Sequence, residues 1–321
     1  MLDDRRTVAD GARVLVTGGA GFIGSHLVER LVEGGAAVTV LDHHAAGPPR
    51  NLAGVADRLE VVRGDAATVL ADPEFVVRFD VVFHLAANPY IPPSVEDPLF
   101  DFERNLMTTL RLLEALRTAP RGPRLVFTSS AAVYGNPRRY PIREDDPTVP
   151  ISPYGVSKLA AERYAAVYAD LYDVPCSSVR LFSVYGPRQR KQVVYDLVDR
   201  LRTEPRRLEV HGDGTQERDF VFVADVADAM IAVADRAPAR GEAINVASGT
   251  STSIAGLVEA LTTQMGLDPE VVWSGSVRPG DAETWVVDTE TLRTLGCTPT
   301  WSLADGLAAT IEWYDAAASG G

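Results

Sequence analysis

Strand-length apolar runs alternate with helical periodicity and predict an α/β fold, a doubly wound parallel sheet with a smaller C-terminal lobe. Three observations carry this. Five such runs recur between helical stretches within residues 1–180, the pattern of parallel strands joined by crossover helices. Gly18-Gly-Ala-Gly-Phe-Ile-Gly24 stands between the first run and the first helical pattern. From Leu181 the pattern changes, although residues 221–247 again read as strand, helix and strand. The large lobe is therefore expected over 1–180 plus about 221–247, and the smaller over about 181–220 plus 248–321. At 321 residues the chain is long enough to bury two such cores.

The first strand is expected at Arg13–Thr17, an apolar run bounded by glycines. Gly18, Gly21 and Gly24 follow at three-residue spacing, and an apolar helical face (Phe22, Ile23, Leu27, Leu31) begins among them. Glycine permits the tight turn, the approach of a pyrophosphate to the backbone, and close packing of helix on strand. Unused N–H groups at the helix start attract the anion. A plain β–α turn has the same local pattern, so the triplet takes its meaning from context. The second strand, Ala37–Leu41, ends in Asp42, about 20 residues on, where a carboxylate suits the ribose hydroxyls of an adenosine. It would repel a 2′-phosphate, which favours NAD over NADP. The third strand, Leu59–Arg63, runs into Gly64-Asp65, where a carboxylate can accept from an adenine amino group. The fourth, Val81–Leu85, is followed by Ala86 and Ala87, small enough for a cofactor to lie close. His84 reads as a packed strand histidine.

The fifth strand, Arg124–Phe127, enters Thr128-Ser-Ser-Ala-Ala-Val-Tyr-Gly135. Hydroxyls at the carboxyl end of a parallel strand lie where ligands bind. Pro137 to Pro153 reads as an active-site loop, and helical periodicity resumes over Tyr154–Tyr168. Tyr154 and Lys158 are four residues apart, on one helical face. An adjacent ammonium lowers a phenol's pKa and lets tyrosine act as a base near neutrality. An exposed helical pair has the same spacing, so this reading also leans on the nucleotide turn and the serine-rich strand end.

These blocks together resemble the extended short-chain dehydrogenase/reductases, specifically the NAD-dependent nucleotide-sugar epimerase/dehydratase family. Further blocks carry the resemblance: His84-Leu-Ala-Ala87, Ser94-Val-Glu-Asp-Pro98, Asn105, Arg180-Leu-Phe-Ser-Val-Tyr-Gly-Pro-Arg-Gln189, Gly212-Asp-Gly-Thr-Gln-Glu-Arg-Asp-Phe220, Asn245-Val-Ala-Ser-Gly249 and Arg278-Pro-Gly-Asp281. The resemblance implies a Rossmann-type large lobe and a substrate-binding small lobe. It implies Ser130, Tyr154 and Lys158 as catalytic residues. Gly18, Gly21, Phe22, Ile23, Gly24, Asp42, Asp65, Ala66, Leu85, Ala86, Ala87, Asn105 and Phe182 would contact NAD, as would Tyr154 and Lys158. Ser94, Ser130, Ala131, Ser183, Arg188, Gln192, Val210, Arg218 and Arg278 would face the nucleotide sugar, the last two arginines gripping its pyrophosphate. A guanidinium suits that task, being a planar fork of donors that stays charged.

Members of this family begin alike, oxidising a sugar hydroxyl, usually at C4, and differ in how the resulting ketone is processed. The resembling 4,6-dehydratases have Asp-Glu directly after the serine, and the UDP-glucuronate decarboxylases a glutamate at the second of those positions. This chain has Ala131-Ala132, and a methyl group transfers no proton. The pattern favours a UDP-hexose 4-epimerase, with a dehydratase, decarboxylase or reductase as the alternative. Ser183 and Arg188 point toward a C6 carboxylate, whereas the alanine pair does not. His211 stands where the family often has an aromatic residue, leaving the nucleotide base open.

Composition bounds the remaining classes. The apolar fraction is 46%, ordinary for a globular enzyme, and no run approaches membrane-span length. The first ten residues are polar and lack a signal peptide's apolar core. With Cys176 and Cys297 alone there is no disulfide framework, and the cytoplasm is the expected location. The 31 basic and 44 acidic residues leave a formal charge of −13, which argues against a nucleic-acid partner. No cysteine–histidine cluster has metal-ligand spacing. A homodimer is implied by the resemblance, through helices near Asn105 and Tyr154. Leu106, Leu110 and Leu113 fit either that interface or the chain's own core.

Overall fold

The structure, a computed structural model, describes residues 8, 11–43, 50–119, 122–276 and 284–319. Its strands are β1 (Arg13–Thr17), β2 (Ala37–Asp42), β3 (Leu59–Arg63), β4 (Val81–His84), β5 (Arg124–Ser130), β6 (Cys176–Leu181), β7 (Ser183–Tyr185), β8 (Arg207–Val210), β9 (Glu217–Phe222), β10 (Arg240–Val246), β11 (Ser251–Ser253) and β12 (Glu270–Trp273). Its helices are α1 (Phe22–Glu33), α2 (Ala66–Val69), α3 (Pro73–Val76), α4 (Ile91–Glu96), α5 (Pro98–Asp101), α6 (Thr108–Thr118), α7 (Pro153–Tyr172), α8 (Val193–Thr203), α9 (Val223–Arg236), α10 (Ile254–Met265), α11 (Glu290–Thr294) and α12 (Leu303–Ser319). A π-helical turn, Phe102–Met107, joins α5 to α6.

Seven strands form the large sheet in the order β10-β6-β5-β4-β1-β2-β3, all parallel. The middle of β1, Val14–Val16, is apolar because both faces of the strand are covered. Val14 and Val16 pack into the core under α1 and α9, while Leu15 points to the opposite core with Leu112, Leu113, Ala161 and Ala165. The chain winds outward from β1 in both directions, through β2–β3 and through β4–β5–β6. The crevice between the carboxyl ends of β1 and β4 is thus the place where such a sheet binds ligands. The expected fold class is borne out.

A three-stranded sheet, β11-β9-β7, and the β12-β8 pair enclose a third core with α8, α10 and α12. The strand expected at the start of the 221–247 unit is β9, and it pairs here with β7 and β11 rather than in the large sheet. Aromatic residues Phe220 and Phe222 draw it there, since both pack on Tyr185. Only α9 and β10 of that unit join the large sheet.

Boundaries differ in instructive ways. Strand β5 continues to Ser130 because its ladder with β6 runs on to Ser130–Leu181. Helix α7 starts one residue early, with the Ser152 hydroxyl accepting from Gly155 N–H at 3.2 Å, and stops where Asp173 turns left-handed at φ 54°. The Pro137–Pro153 loop is anchored: Ile142 is fully buried and bridges Val287. Leu113 is core, and Leu106 and Leu110 pack against the same core. No helix among the described residues is long and apolar enough to cross a membrane.

Candidate functional site

The glycine turn is built as its spacing requires. Gly18, at φ +69°, donates to Leu41 O at 2.8 Å, and Gly21 donates back to Gly18 O at 3.0 Å. A Cβ on Gly18 would lie 2.9 Å from Ala86 N, and one on Gly24 only 2.3 Å from Gly18 O. Gly21 caps α1 without a side chain, leaving first-turn N–H groups for an anion. Phe22 and Ile23 are half-buried on that turn. Asp42 sits at the end of β2 beside the turn and accepts from Ala20 N–H at 3.1 Å. Thr17 Oγ1 receives Ala86 N–H at 3.1 Å, which fixes the Leu85-Ala86-Ala87 edge across the crevice. A side-chain-free cradle facing an acid at the neighbouring strand end fits a dinucleotide whose adenosine ribose carries free hydroxyls. Gly24→Ala is expected to cost about 3 kcal/mol of stability and to abolish NAD retention. Denaturant unfolding and cofactor content after gel filtration check both.

Other predicted contacts lie at this edge but are held by the protein. Asp65 follows β3 and forms an ion pair with Arg104. Burial pushes its carboxyl up, but the Arg104 guanidinium outweighs this and holds it below the usual carboxylate range. Ala66 begins α2 beside it. Asn105, buried in the π-turn, accepts from Asn88 N–H at 2.7 Å and donates to Asn88 O at 3.2 Å, stapling the segment after β4. His84 is the packed histidine expected, hydrogen-bonded between the hydroxyls of Thr17 at 2.8 Å and Thr109 at 3.2 Å. Burial lowers it to about 3, so it stays neutral.

Tyr154 stands in the first turn of α7, its backbone N–H donating to Ser94 Oγ at 3.1 Å. Ser94 is fully buried and also donates to Ile91 O at 2.7 Å, so it positions the helix start. The helix lies close on the Ser130–Ala132 segment, where a Cβ on Gly155 would be 2.6 Å from Ala132 O. That approach puts the Ser130 hydroxyl against the Tyr154 phenol. Lys158 is buried, donates to Thr128 O at 2.9 Å, and lies 5.9 Å from the centre of the Tyr154 ring.

The expected lowering of the tyrosine by Lys158 is not what the chain's own groups produce. Burial pushes Tyr154 up to about 12, against the pull of the Ser130 hydrogen bond and with a further push from Asp101. Burial also takes Lys158 down to about 8. The ammonium is aimed at a β5 carbonyl rather than at the phenolic oxygen, which explains its weak hold on the phenol.

On the substrate side, Ala131 is buried and Ala132 half-buried, and Phe182 packs between Tyr134 at 6.2 Å and Trp285 at 5.4 Å. Ser183 opens β7 half-buried. Arg188 does not turn to the sugar side. It binds Glu29 at 2.6 Å and Ser25 Oγ at 3.1 Å on α1, because a left-handed backbone at φ 73° carries it there. Gln192 accepts from Gln189 Nε2 at 3.1 Å. Val210 is buried in the small-lobe core. Arg218 lies half-buried on β9, donating to Glu217 O at 2.9 Å. Arg278 lies outside the described residues.

Sequence reading missed Asp101, buried and bonded to Ser157 and Asn105, and the buried Arg180–Glu162 pair beneath the active strand. Spacing alone does not reveal them: Asp101 meets Ser157, 56 positions on, and Glu162, although four residues after Lys158, pairs instead with Arg180.

The model of the NAD dependent epimerase/dehydratase family matches residues 14–247. A UDP-glucose 4-epimerase of Mycolicibacterium smegmatis is 38% identical over 309 residues, covering 94% of this chain and 98% of the relative. The solved UDP-glucuronic acid 4-epimerase of Bacillus cereus, in complex with UDP-glucuronic acid and NAD, superposes with a TM-score of 0.86 at 31% identity, covering 95% of this chain and 99% of that one. The UDP-N-acetylglucosamine 4-epimerase of Methanobrevibacter ruminantium superposes with a TM-score of 0.88 at 30% identity, covering 95% and 99%.

Proposed function

The chain belongs to the NAD-dependent epimerase/dehydratase family, and on that premise we propose that it epimerises a nucleotide sugar, a UDP-hexose, at C4 through a transient 4-keto sugar. The observation that carries this reading is Ala131-Ala132, which stands beside Ser130 against the start of α7 and brings no proton-transferring side chain. Eliminating water would require an acid and a base there. Returning the hydride to the other face of the ketone requires neither.

NAD, when bound, supplies the hydride acceptor and then the donor. Gly18, Gly21, Gly24, Asp42 and the Leu85–Ala87 edge would hold it. Tyr154 takes the proton from the C4 hydroxyl and gives it back after the ketone has turned. Ser130 orients that hydroxyl and favours the phenolate by hydrogen bonding. Lys158 holds positive charge beneath the pair and would donate to the ribose hydroxyls of the bound cofactor. The small lobe, about 181–220 plus 248–321, carries the nucleotide sugar, with Arg218 and Arg278 on its pyrophosphate. Arg188 is already neutralised by Glu29, so it lends no support to a uronate.

The test is to incubate the protein with UDP-glucose, UDP-N-acetylglucosamine and UDP-glucuronate separately, without added reductant, and to identify products by NMR. A reversible C4 epimer from one of them is expected. A dehydrated or decarboxylated product, or net NADH, would assign the protein to another reaction of the family.

The working unit in this reading is a homodimer. Val156, Tyr164, Val167 and Leu171 form an exposed apolar stripe along α7, with Leu99, Phe100 and Phe102 exposed on the adjoining α5 and π-turn. Contiguous apolar surface of this kind marks an interface. Sedimentation is expected to show a dimer for the native chain and a monomer for the Val167→Glu, Leu171→Glu double variant.

A further inference from the structure

Five acids are buried among the described residues: Asp42, Asp101, Glu162, Asp219 and Asp225. Four have partners that account for them. Asp42 caps the glycine turn and Glu162 pairs with Arg180. Asp219 accepts from the Ser248 and Gly249 amides, and Asp225 from those of Thr300 and Trp301. Asp101, fully buried at the end of α5, differs in accepting from no backbone amide among the described residues; its hydrogen bonds come from two neutral side chains, Ser157 Oγ at 2.7 Å and Asn105 Nδ2 at 2.7 Å. A carboxylate so placed is costly unless a positive charge lies near.

One buried cation is in the same position. Lys158 directly follows Ser157 and makes no salt bridge among the described residues. Its ammonium has the Thr128 carbonyl and the rings of Phe127, at 5.1 Å, and Tyr154. A buried carboxylate hydrogen-bonded to Ser157 and a buried ammonium on the next residue of α7, neither in a salt bridge among the described residues, thus occupy adjoining positions where α5 packs on α7. The geometry points to Asp101 as the buried counter-charge of Lys158, a positioning residue that keeps the ammonium protonated beside Tyr154. It deepens the epimerase reading and rests on it where turnover is concerned.

The surrounding groups are consistent with this. On α7, Tyr154 stays protonated and Glu162 is committed to Arg180. From β4, His84 is neutral, and from the π-turn Asn105 is uncharged while Arg104 is held by Asp65. From β5 come uncharged groups, the Ser130 hydroxyl, the Thr128 carbonyl and the Phe127 ring. Burial pulls Lys158 down and Asp101 opposes that pull. Conversely, burial raises Asp101, while Ser157 and Lys158 oppose it.

The sequence makes the test direct, because its two lysines are Lys158 and Lys191. Protein carrying 13Cε-lysine gives two signals, and exposed Lys191 is the internal control. In Asp101→Asn the Lys158 midpoint is expected to move to lower pH while that of Lys191 stays. Asp101→Glu is expected to retain most of the native value. Ser157→Ala, which removes a hydrogen bond but no charge, is expected to leave it near native. The alkaline limb of kcat should move down with the lysine, with KM little changed. If Asp101→Asn does not fold, Asp101→Ser removes the same charge with less bulk. An unmoved Lys158 midpoint in the neutral variants would overturn the assignment, as would an equal shift in Ser157→Ala. If the native protein turned over no UDP-sugar, the epimerase reading would fail, while the lysine titration would still decide the counter-charge.

Discussion

Tyr154→Phe is expected to reduce kcat for sugar epimerisation roughly a hundred- to ten-thousand-fold, the range for loss of a general base. The fold and NAD content should persist. Phenylalanine preserves the packing of the ring in the first turn of α7 and removes only the oxygen that meets Ser130. The stability change from that lost hydrogen bond is about 1 kcal/mol. The kinetic loss corresponds to roughly 3–5.5 kcal/mol of transition-state stabilisation. The two effects are separable, so stopped-flow turnover and denaturant unfolding on the same preparation decide the matter. Near-native turnover would remove the phenol from the role of base.

The tyrosine's starting point sharpens the expectation. Burial puts it up to about 12, so at neutral pH the side chain is a phenol. A group whose proton leaves only with difficulty becomes a base when positive charge is brought to it. Lys158 supplies part of that charge, and the nicotinamide ring of oxidised NAD would supply more when bound. Turnover should therefore rise with pH toward the alkaline range and fall once Lys158, at about 8, loses its own charge.

Much of this site was legible in the chain because its devices are local. A glycine turn, a strand-end acid and a tyrosine four residues before a lysine are each set by spacing, and the structure places each where the spacing implied. The alternation of apolar strands with helices likewise implied a parallel, doubly wound sheet, while the strand order that puts the crevice between β1 and β4 is a property of the folded chain. What escaped is what the fold brings together from afar. Arg188 sits in a block suggestive of substrate contact, yet a left-handed residue turns it back to Glu29, some 160 positions earlier in the chain. Strand β9 reads as a return to the large sheet until Phe220 and Phe222 are seen packed on Tyr185. Asp101 and Glu162 are ordinary helical acids in the sequence. Burial alone separates them from their solvated neighbours, and burial depends on elements more than fifty residues away for the first and eighteen for the second.

Glu162→Gln should be among the most destabilising conservative changes in the molecule, at about 3–5 kcal/mol. Glu162 stands one turn beyond Lys158 on α7, and both its oxygens are used. Arg180 Nη2 donates to one at 2.5 Å, while Arg180 Nε at 3.0 Å and Ser129 Oγ at 2.9 Å share the other. Both side chains of the pair are 3% exposed. Burial alone would lower the arginine, yet Glu162 and the Tyr134 hydroxyl hold it above its ordinary value. The amide keeps the shape but leaves a guanidinium in the interior with its counter-charge gone. The consequence reaches the active strand. Arg180 also donates to Tyr134 Oη at 2.6 Å and to Glu144 O at 2.9 Å, and Tyr134 stacks on Phe182. Removing both charges, as in Glu162→Met with Arg180→Met, should recover much of the loss, since an apolar pair of similar volume is often no worse than a buried ion pair. Recovery should stop short by about 1–3 kcal/mol, because Tyr134 Oη and Glu144 O lose a donor they cannot replace. Urea unfolding of the two variants reads this difference. A single variant within about 1 kcal/mol of native would mean the pair behaves as a surface contact, and that α7 is held to the sheet by its apolar face alone.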